Sequence, residues 1–410
     1  MQKVYKQPII HSTKSGAESK MAKKKLLAPA ERKRMTLIWK PTDSCNLACK
    51  YCYADARTDK YITPVNDVKT GISKWADYIG KDGQLSIIFH GGEPMVCGLP
   101  YYKEVIGHVQ GLCENGYKKI ELSMQSNGTL LTEEAIDYFV QNKLSVGLSL
   151  DGTEEFNGKT RTYLNGRNSY NRIVKTIKYM KEKKKRAGCI AIVSRNNIES
   201  LVEIYDHFKE IGLTGVTFNP IFIAGRAQEN DYLAISTEEW NSKMIALFEY
   251  YWQNDRNNKE FDVEPFSRII EKMLTGKATL CYSQESCQKG FVGIDPKGNV
   301  YPCGRFCGDD AMKYGNMLSQ SIEEILAQPL RQDLLARWQK IEGDCKECYF
   351  DSVCYGGCMH NAYSMDKDIN QKDPLCEKPL FQHIYQRLET ALSNELEGIR
   401  QNVQQTADCQ

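Results

Sequence analysis

The chain has 410 residues, an apolar fraction of 41% and a formal net charge of +2. That length suggests two domains, or one large barrel with an appendage, and the near-balanced charge excludes a strongly electrostatic partner such as nucleic acid for the chain as a whole. No apolar run approaches the roughly 18–20 residues of a membrane span, and the basic N-terminus lacks the apolar segment of a secretory signal. The expected compartment is therefore a reducing cytoplasm, where sixteen cysteines point to metal binding rather than disulfides.

Residues 1–34 carry ten Lys or Arg against Glu18 and Glu31 and are expected to form a mobile basic arm. Strand and helix patterns then alternate. The predicted strands are Thr36–Lys40, Leu85–His90, Ile120–Gln125, Ser145–Leu150, Cys189–Val193 and Val216–Asn219, short runs rich in Val, Ile, Leu, Phe or Ser. Helical patterns separate them at 65–79, 100–115, 132–142, 168–186 and 197–211. Repeated βα units argue for a parallel sheet with outer helices; six strands are two short of a closed eight-stranded barrel. The expected fold class is α/β, a partial (β/α)6 barrel over 35–260. A helix near 236–252 follows, capped by Ser236 or Thr237, and the Asn- and Asp-rich stretch 253–262 reads as a boundary. A cysteine-rich domain is expected over 261–378, with little regular structure beyond Cys281, and a closing helix and tail over 379–410.

Eleven cysteines fall into two spaced sets. Cys45, Cys49 and Cys52 lie on one loop directly after the first predicted strand, the C-terminal face where barrel active sites sit. Zinc wants four ligands, and no fourth His or Cys lies nearby in the sequence; a three-cysteine loop suits an iron–sulfur cluster with one open iron. The second set comprises Cys281, Cys287 and Cys303, then Cys345, Cys348, Cys354 and Cys358, then Cys376. Two zinc ribbons are the competing reading of its CxxC half-site. Three further elements end successive strands: Gly91-Gly92-Glu93-Pro94, Ser126-Asn127-Gly128-Thr129 and Ser149-Leu150-Asp151-Gly152, with Arg161 ten residues beyond Asp151. Each could be a simple turn. Glycines at 91 and 92 let backbone approach a ligand, and Glu93 offers a carboxylate to an ammonium group.

The CxxxCxxC loop with Tyr51 before its last cysteine, followed in order by these elements, resembles the radical S-adenosylmethionine (SAM) superfamily over about residues 35–260. The region 280–378 resembles its SPASM extension, through Cys281-x5-Cys287, the run VGIDPKGNVYPC ending at Cys303, the four-cysteine run and Cys376. The resemblance implies SAM and three [4Fe-4S] clusters. Cys45, Cys49 and Cys52 would hold the SAM-binding cluster; Cys281, Cys287, Cys303 and Cys358 one auxiliary cluster; Cys345, Cys348, Cys354 and Cys376 the other. Gly91, Gly92, Glu93 and Pro94 would hold the cofactor's amino group, Ser149 and Arg161 its carboxylate or ribose. Ser126, Asn127 and Asp151 belong to the same binding set, Tyr51 packs nearby, and Phe222 would be an apolar adenine contact. The implied chemistry is reductive cleavage of the sulfonium, giving a 5′-deoxyadenosyl radical that removes hydrogen from an unactivated carbon, with a flavodoxin- or ferredoxin-type protein as external one-electron reductant.

Members with this extension mostly modify peptides or proteins. Sulfatase maturases of the family carry an aspartate as base after the cysteine corresponding to Cys303; here Gly304 stands there, and glycine cannot be a base, so the catalytic base is unassigned. The residue before GGEP is His90, where those enzymes tend to carry glutamine. Both departures favour cross-linking of a ribosomally made precursor peptide, first of all a Cys thioether, over oxidation of Cys or Ser to formylglycine. An electron carrier without SAM chemistry would need none of the GGEP, SLDG or Arg161 elements. Cys307 reads as a buried inert thiol, an alternative ligand or a reactive group; Cys97, Cys113 and Cys189 read as core or surface cysteines.

Overall fold

The computed structural model describes residues 33–53, 61–277 and 280–407; most of the basic arm and Cys409 lie outside these. The six predicted strands form where expected: β1 (Arg34–Trp39), β2 (Gln84–Phe89), β3 (Ile120–Ser126), β4 (Ser145–Ser149), β5 (Gly188–Val193) and β6 (Gly215–Pro220). They pair in sequence order and in parallel. Parallel neighbours need a crossover, and helices α1 (Val65–Ile79), α2 (Gly98–Glu114), α3 (Glu133–Gln141), α4 (Glu154–Thr160), α5 (Tyr170–Glu182) and α6 (Leu201–Ile211) supply it. Helix α4 is additional to the five helical patterns read from the sequence between these strands.

Alternation along each strand separates a helix-facing core from an inner face. On β1, Met35, Leu37 and Trp39 are buried, and a Cβ on Gly71 of α1 would come within 2.6 Å of the Trp39 ring. On β2, Leu85, Ile87 and Phe89 are buried, with Phe89 edge-on to Tyr102 of α2 at 5.3 Å between ring centroids. The intervening residues turn inward. Gln125, Gly147, Ile190 and Thr217 on that face line a cavity of about 310 Å³.

Four strands extend the sheet from beyond residue 260. The three residues Asp262–Glu264 form β7 beside β6. At the other edge Phe291–Ile294 forms β8, parallel to β1, followed by the antiparallel β9 (Asn299–Tyr301) and β10 (Gly315–Asn316). The result is one ten-stranded sheet, ordered β10-β9-β8-β1-β2-β3-β4-β5-β6-β7. The cysteine-rich region is thus joined to the barrel by main-chain hydrogen bonds.

Helix α7 (Thr237–Asn254) begins in a capping box, with Ser236 and Glu239 satisfying each other's backbone N–H, as its sequence predicts. Helix α8 (Phe266–Thr275) and several short helices between Ile322 and Asp366 occupy the region read as largely irregular. The closing helix runs Lys378–Ala407. It packs on α7, where Glu249 accepts from Arg387 Nε at 2.7 Å and pairs with His383.

Candidate functional site

The loop after β1 carries Cys45, Cys49 and Cys52 and is held from three sides. Ala48 N and Lys50 N donate to Thr162 O (2.7 Å) and Thr160 O (3.0 Å). Asn127 Nδ2, from the end of β3, lies 3.8 Å from Cys45 Sγ and donates to Asn46 Oδ1 at 2.9 Å. Arg226, just past β6, donates from Nη1 to Cys49 O (3.0 Å) and from its backbone N to Cys52 O (3.0 Å). Gly225 makes this approach feasible: its φ is +56°, and a Cβ would stand 2.5 Å from Tyr53 O. Sequence reasoning missed Arg226, because an isolated Arg carries no motif. Burial pushes the thiols of Cys45 and Cys49 up to about 11 and about 12, partly offset by the positive charge of Arg161.

Gly91 and Gly92 follow β2 and serve a purpose the sequence reading did not assign. A Cβ on Gly91 would stand 2.2 Å from Thr42 O, and one on Gly92 2.2 Å from Ser44 O. The backbone they admit is that of the cysteine loop: Gly92 N donates to Thr42 O and Glu93 N to Ser44 O. Glu93 is fully buried. Its Oε1 accepts from Met95 N (2.9 Å) and Ser126 Oγ (2.8 Å), its Oε2 from Asn127 N (2.7 Å). Burial raises its pKa while those three donors oppose the rise. A carboxylate has about four lone-pair sites, so one remains for a cation.

At the ends of β4 and α4 a second polar group is assembled. Asp151 Oδ2 accepts from Tyr51 OH (2.6 Å) and Thr160 Oγ1 (2.8 Å), and Oδ1 from Ile192 N (3.2 Å). Arg161 Nη1 donates to Tyr51 OH at 2.5 Å, and its Nε is buried without a partner. Ser149 Oγ accepts from Gln125 Nε2 at 2.9 Å. Glu93, Ser126, Asn127, Tyr51, Asp151 and Arg161 thus gather around the three cysteines. Phe222 has the Arg305 guanidinium 4.3 Å above its ring and His360 edge-on at 5.2 Å, on the seam with the cysteine-rich region.

The later cysteines fall into two groups in space. Burial raises the Cys281 thiol, and the neighbours that add to the rise are Cys358, Cys287 and Cys303. Arg305 Nη1 lies 3.6 Å from Cys358 Sγ, and Gln288 Nε2 3.4 Å from Cys287 Sγ. Burial pushes Cys354 up to about 12, with the charges of Cys376 and Cys345 adding to the rise, and those of Cys376 and Cys348 likewise raise Cys345. Arg337, also unforeseen, is buried and donates to the carbonyls of Gly356, Gly357, Ile369 and Gln371. Asn241 of α7 donates to Cys376 O at 2.9 Å, so a barrel helix positions the last cysteine. A Cβ on Gly304 would stand 2.7 Å from Ile38 Cγ2 of β1. Cys307 Sγ lies 3.9 Å from Cys303 O. Cys189 is buried, Cys97 half-buried and Cys113 exposed.

The donor set fits iron–sulfur clusters and SAM. Among the described residues no three His, Cys, Asp or Glu side chains converge as a single ion requires; a cubane spreads its thiolates over separate irons. Around the first loop, one free carboxylate lone pair and one orphaned guanidinium N–H suit the ammonium and carboxylate of an amino acid.

The Radical SAM superfamily profile matches residues 39–221, and that of the SPASM iron–sulfur cluster-binding domain matches residues 276–349. A cysteine-type anaerobic sulfatase-maturating enzyme of Clostridium perfringens is 25% identical over 88% of this chain and 99% of its own length. A serine-type counterpart from Bacteroides thetaiotaomicron is 27% identical over 82% and 85%. In fold, the chain is similar to anSMEcpe with bound AdoMet (TM-score 0.79, 23% identity, covering 88% and 99%). It is also similar to Streptococcus suis SuiB bound to precursor peptide SuiA (0.60, 19%, covering 83% and 75%). With both domains matched in order, on a partial barrel whose sheet the cysteine-rich region extends, the chain is an enzyme of the radical SAM superfamily with a SPASM iron–sulfur domain.

Proposed function

We propose that this enzyme is a maturase that removes a hydrogen from a residue of a peptide or protein. The observation that carries the reading is coverage: a sulfatase-maturating relative aligns over 99% of its own length, both cluster-bearing domains included. Oxidation of a substrate Cys or Ser to formylglycine is accordingly the first reading. It takes precedence over the thioether cross-link that the sequence favoured. The cross-link stays as a second reading on one observation, Gly304 after Cys303, which leaves that position without a base.

In this reading Cys45, Cys49 and Cys52 hold the SAM-binding cluster. Cys281, Cys287, Cys303 and Cys358 hold one auxiliary cluster, and Cys345, Cys348, Cys354 and Cys376 the other, three in all. Residues 35–260 form the catalytic barrel, 261–378 the auxiliary-cluster domain and 379–410 the closing helix and tail. When bound, SAM and the reduced cluster supply a 5′-deoxyadenosyl radical able to take hydrogen from unactivated carbon. Glu93 accepts the methionine ammonium through its remaining lone pair, and Arg161 Nε donates to the carboxylate. Tyr51 and Asp151 hold that guanidinium in place; Gly91, Gly92 and Pro94 hold the Glu93 loop on the cysteine loop. Ser126 and Asn127 fix the Glu93 carboxylate, and Ser149 Oγ accepts from Gln125, which lines the cavity. Phe222, on the seam with Arg305, would be the apolar adenine contact. A flavodoxin- or ferredoxin-type reductant in the cytoplasm would supply the electron; no helix among the described residues is long and apolar enough to cross a membrane.

The test is anaerobic incubation of cluster-loaded enzyme with SAM, dithionite and three peptides: sulfatase-derived Cys and Ser peptides, and a cysteine-bearing precursor peptide. Formylglycine is read as a hydrazone adduct by mass spectrometry. A cross-link is read as loss of two hydrogens with no adduct. Modification of the precursor alone would reverse the order of the two readings, and no modification with intact SAM would end both.

A further inference from the structure

Lys40 and His90 have no role in the cofactor binding proposed above, yet the fold puts them side by side just past the C-terminal ends of β1 and β2. Trp39 and Phe89 are register partners on parallel strands, so the next residues, Lys40 and His90, are neighbours. His90 N donates to Trp39 O at 2.8 Å, and a Cβ on Gly91 would lie 3.3 Å from Lys40 Cβ. Trp39 and Phe89 face the outer helices; Lys40 and His90 therefore share the inner face.

Neither side chain donates a hydrogen bond to an acceptor among the described residues. Lys40 is only 2% exposed. Its ammonium lies 5.5 Å from the centroid of the Tyr53 ring, and it has no ion pair or side-chain hydrogen bond among the described residues. The acidic groups facing it are Cys307, Tyr53, Asp43 and Cys52. His90 Nδ1 accepts from Gly91 N at 2.9 Å, which leaves the proton of the neutral ring on Nε2. Burial first, then the charge of Lys40, pull His90 down to about 4, so this tautomer persists through neutral pH. The acidic groups facing Lys40 hold its pKa above its ordinary value against burial, so the ammonium stays charged, and its three N–H donors have no hydrogen-bond acceptor among the described residues to occupy them. The neighbouring position agrees. Ile38 precedes Lys40 by two residues on the same face, about 6.6 Å along the strand, and fills the space a side chain at 304 would need. No carboxylate at 304 competes for the ammonium.

We propose that Lys40 and His90 form a carboxylate-binding pair, so that the substrate of this enzyme carries a carboxylate near the residue that loses hydrogen. The inference rests on the peptide-modifying reading and adds a specificity to it. Lys40 pairs with the carboxylate, and His90 Nε2–H donates the second hydrogen bond. The carboxylate comes from an Asp or Glu side chain or from a peptide C-terminus.

Calorimetric titration of the wild-type, cluster-loaded, SAM-bound enzyme tests this. The probes are acetylated pentapeptide amides with a central Asp, Glu, Asn or Gln in an Ala–Gly frame, and acetyl-Gly-Ala-Ala as free acid and as amide. At least one acid is expected to bind about tenfold more tightly than its amide partner, and the two arms separate side-chain from terminal carboxylates. Lys40→Met is expected to erase the preference and Lys40→Arg to keep it. Equal affinity of acids and amides in the wild type, no binding of any probe, or a preference that survives Lys40→Met would each overturn the pair; the wild-type comparison holds even if a variant fails to fold. SAM cleavage is measured on the same wild-type preparation. Cleavage without a carboxylate preference sinks only this inference, whereas absent cleavage sinks the reading beneath it.

Discussion

Single atoms decide much of this site. A methyl group on Gly92 would stand 2.2 Å from Ser44 O and 2.3 Å from Asp43 O, and backbone at both positions is pinned. Gly92→Ala is therefore expected to displace the cysteine loop, lowering 5′-deoxyadenosine formation at least tenfold, equivalent to about 1.4 kcal/mol in the barrier. Chromatographic assay of 5′-deoxyadenosine checks this, and unchanged turnover would show that the two loops can separate. Glu93→Gln keeps the shape and removes the charge. It also turns one acceptor into a donor facing Ser126 Oγ or Asn127 N. Hydrogen bonds to a charged group contribute about 1.5–3 kcal/mol each. SAM binding is expected to weaken by roughly ten- to a hundredfold, read by equilibrium dialysis with the clusters intact. These residues were legible because a motif marks them. The motif did not reveal that both glycines are needed by the neighbouring loop. Nor did it point to Arg226 or Arg337, since a lone arginine reads as a solvated surface group until the fold aims it at carbonyls.

Among elements, the six parallel strands were legible because each is a short β-branched or aromatic run between amphipathic helices. Their ends shifted by one or two residues, as helix and strand boundaries commonly do. β7 was not legible. Three residues after an Asn- and Asp-rich turn carry no periodicity, and only the exposed edge of β6 makes them a strand. β8 was hidden for a related reason: its run reads as cysteine-domain sequence, and its partner β1 lies some 250 residues earlier. Helix α7 was legible down to its cap. Ser236→Ala would remove the capping hydrogen bond to Glu239 N and is expected to cost about 1 kcal/mol. The measurement is denaturant unfolding of the cluster-loaded protein, with the midpoint lowered and the slope unchanged. A larger loss would mean that α7 also carries the Cys376 segment, through Asn241 and the bond from Trp240 Nε1 to Glu377 Oε1 at 3.0 Å.

At the level of the whole molecule, the barrel and the cysteine-rich region share one sheet. Ending the chain at residue 276 would strip β8 from β1 and leave a fully parallel, apolar edge strand unpaired. Such edges invite intermolecular pairing. The truncated chain is expected to aggregate at micromolar concentration, seen by light scattering, whereas the full chain stays dispersed. A monodisperse truncated barrel would show that β1 needs no partner on that side. The shared sheet also fixes the distance between the cysteine loop after β1 and the Cys303 loop after β9, because β1 and β8 are adjacent rails of one lattice. A Cβ on Gly293 of β8 would stand 2.3 Å from the Cys303 carbonyl carbon, so the second loop rests directly on the sheet.

The contact between Ile38 and Gly304 carries a lesson for protein engineers. Grafting an acidic side chain onto position 304, in the hope of transplanting a relative's reactivity, is a lock that opens with two keys. Gly304→Asp alone must push Ile38 aside, whereas trimming Ile38 to alanine first would clear a berth for the newcomer. Because Ile38 lies on the strand next to Lys40, the double replacement would also set a fresh negative charge beside that ammonium, and the two changes would have to be selected together.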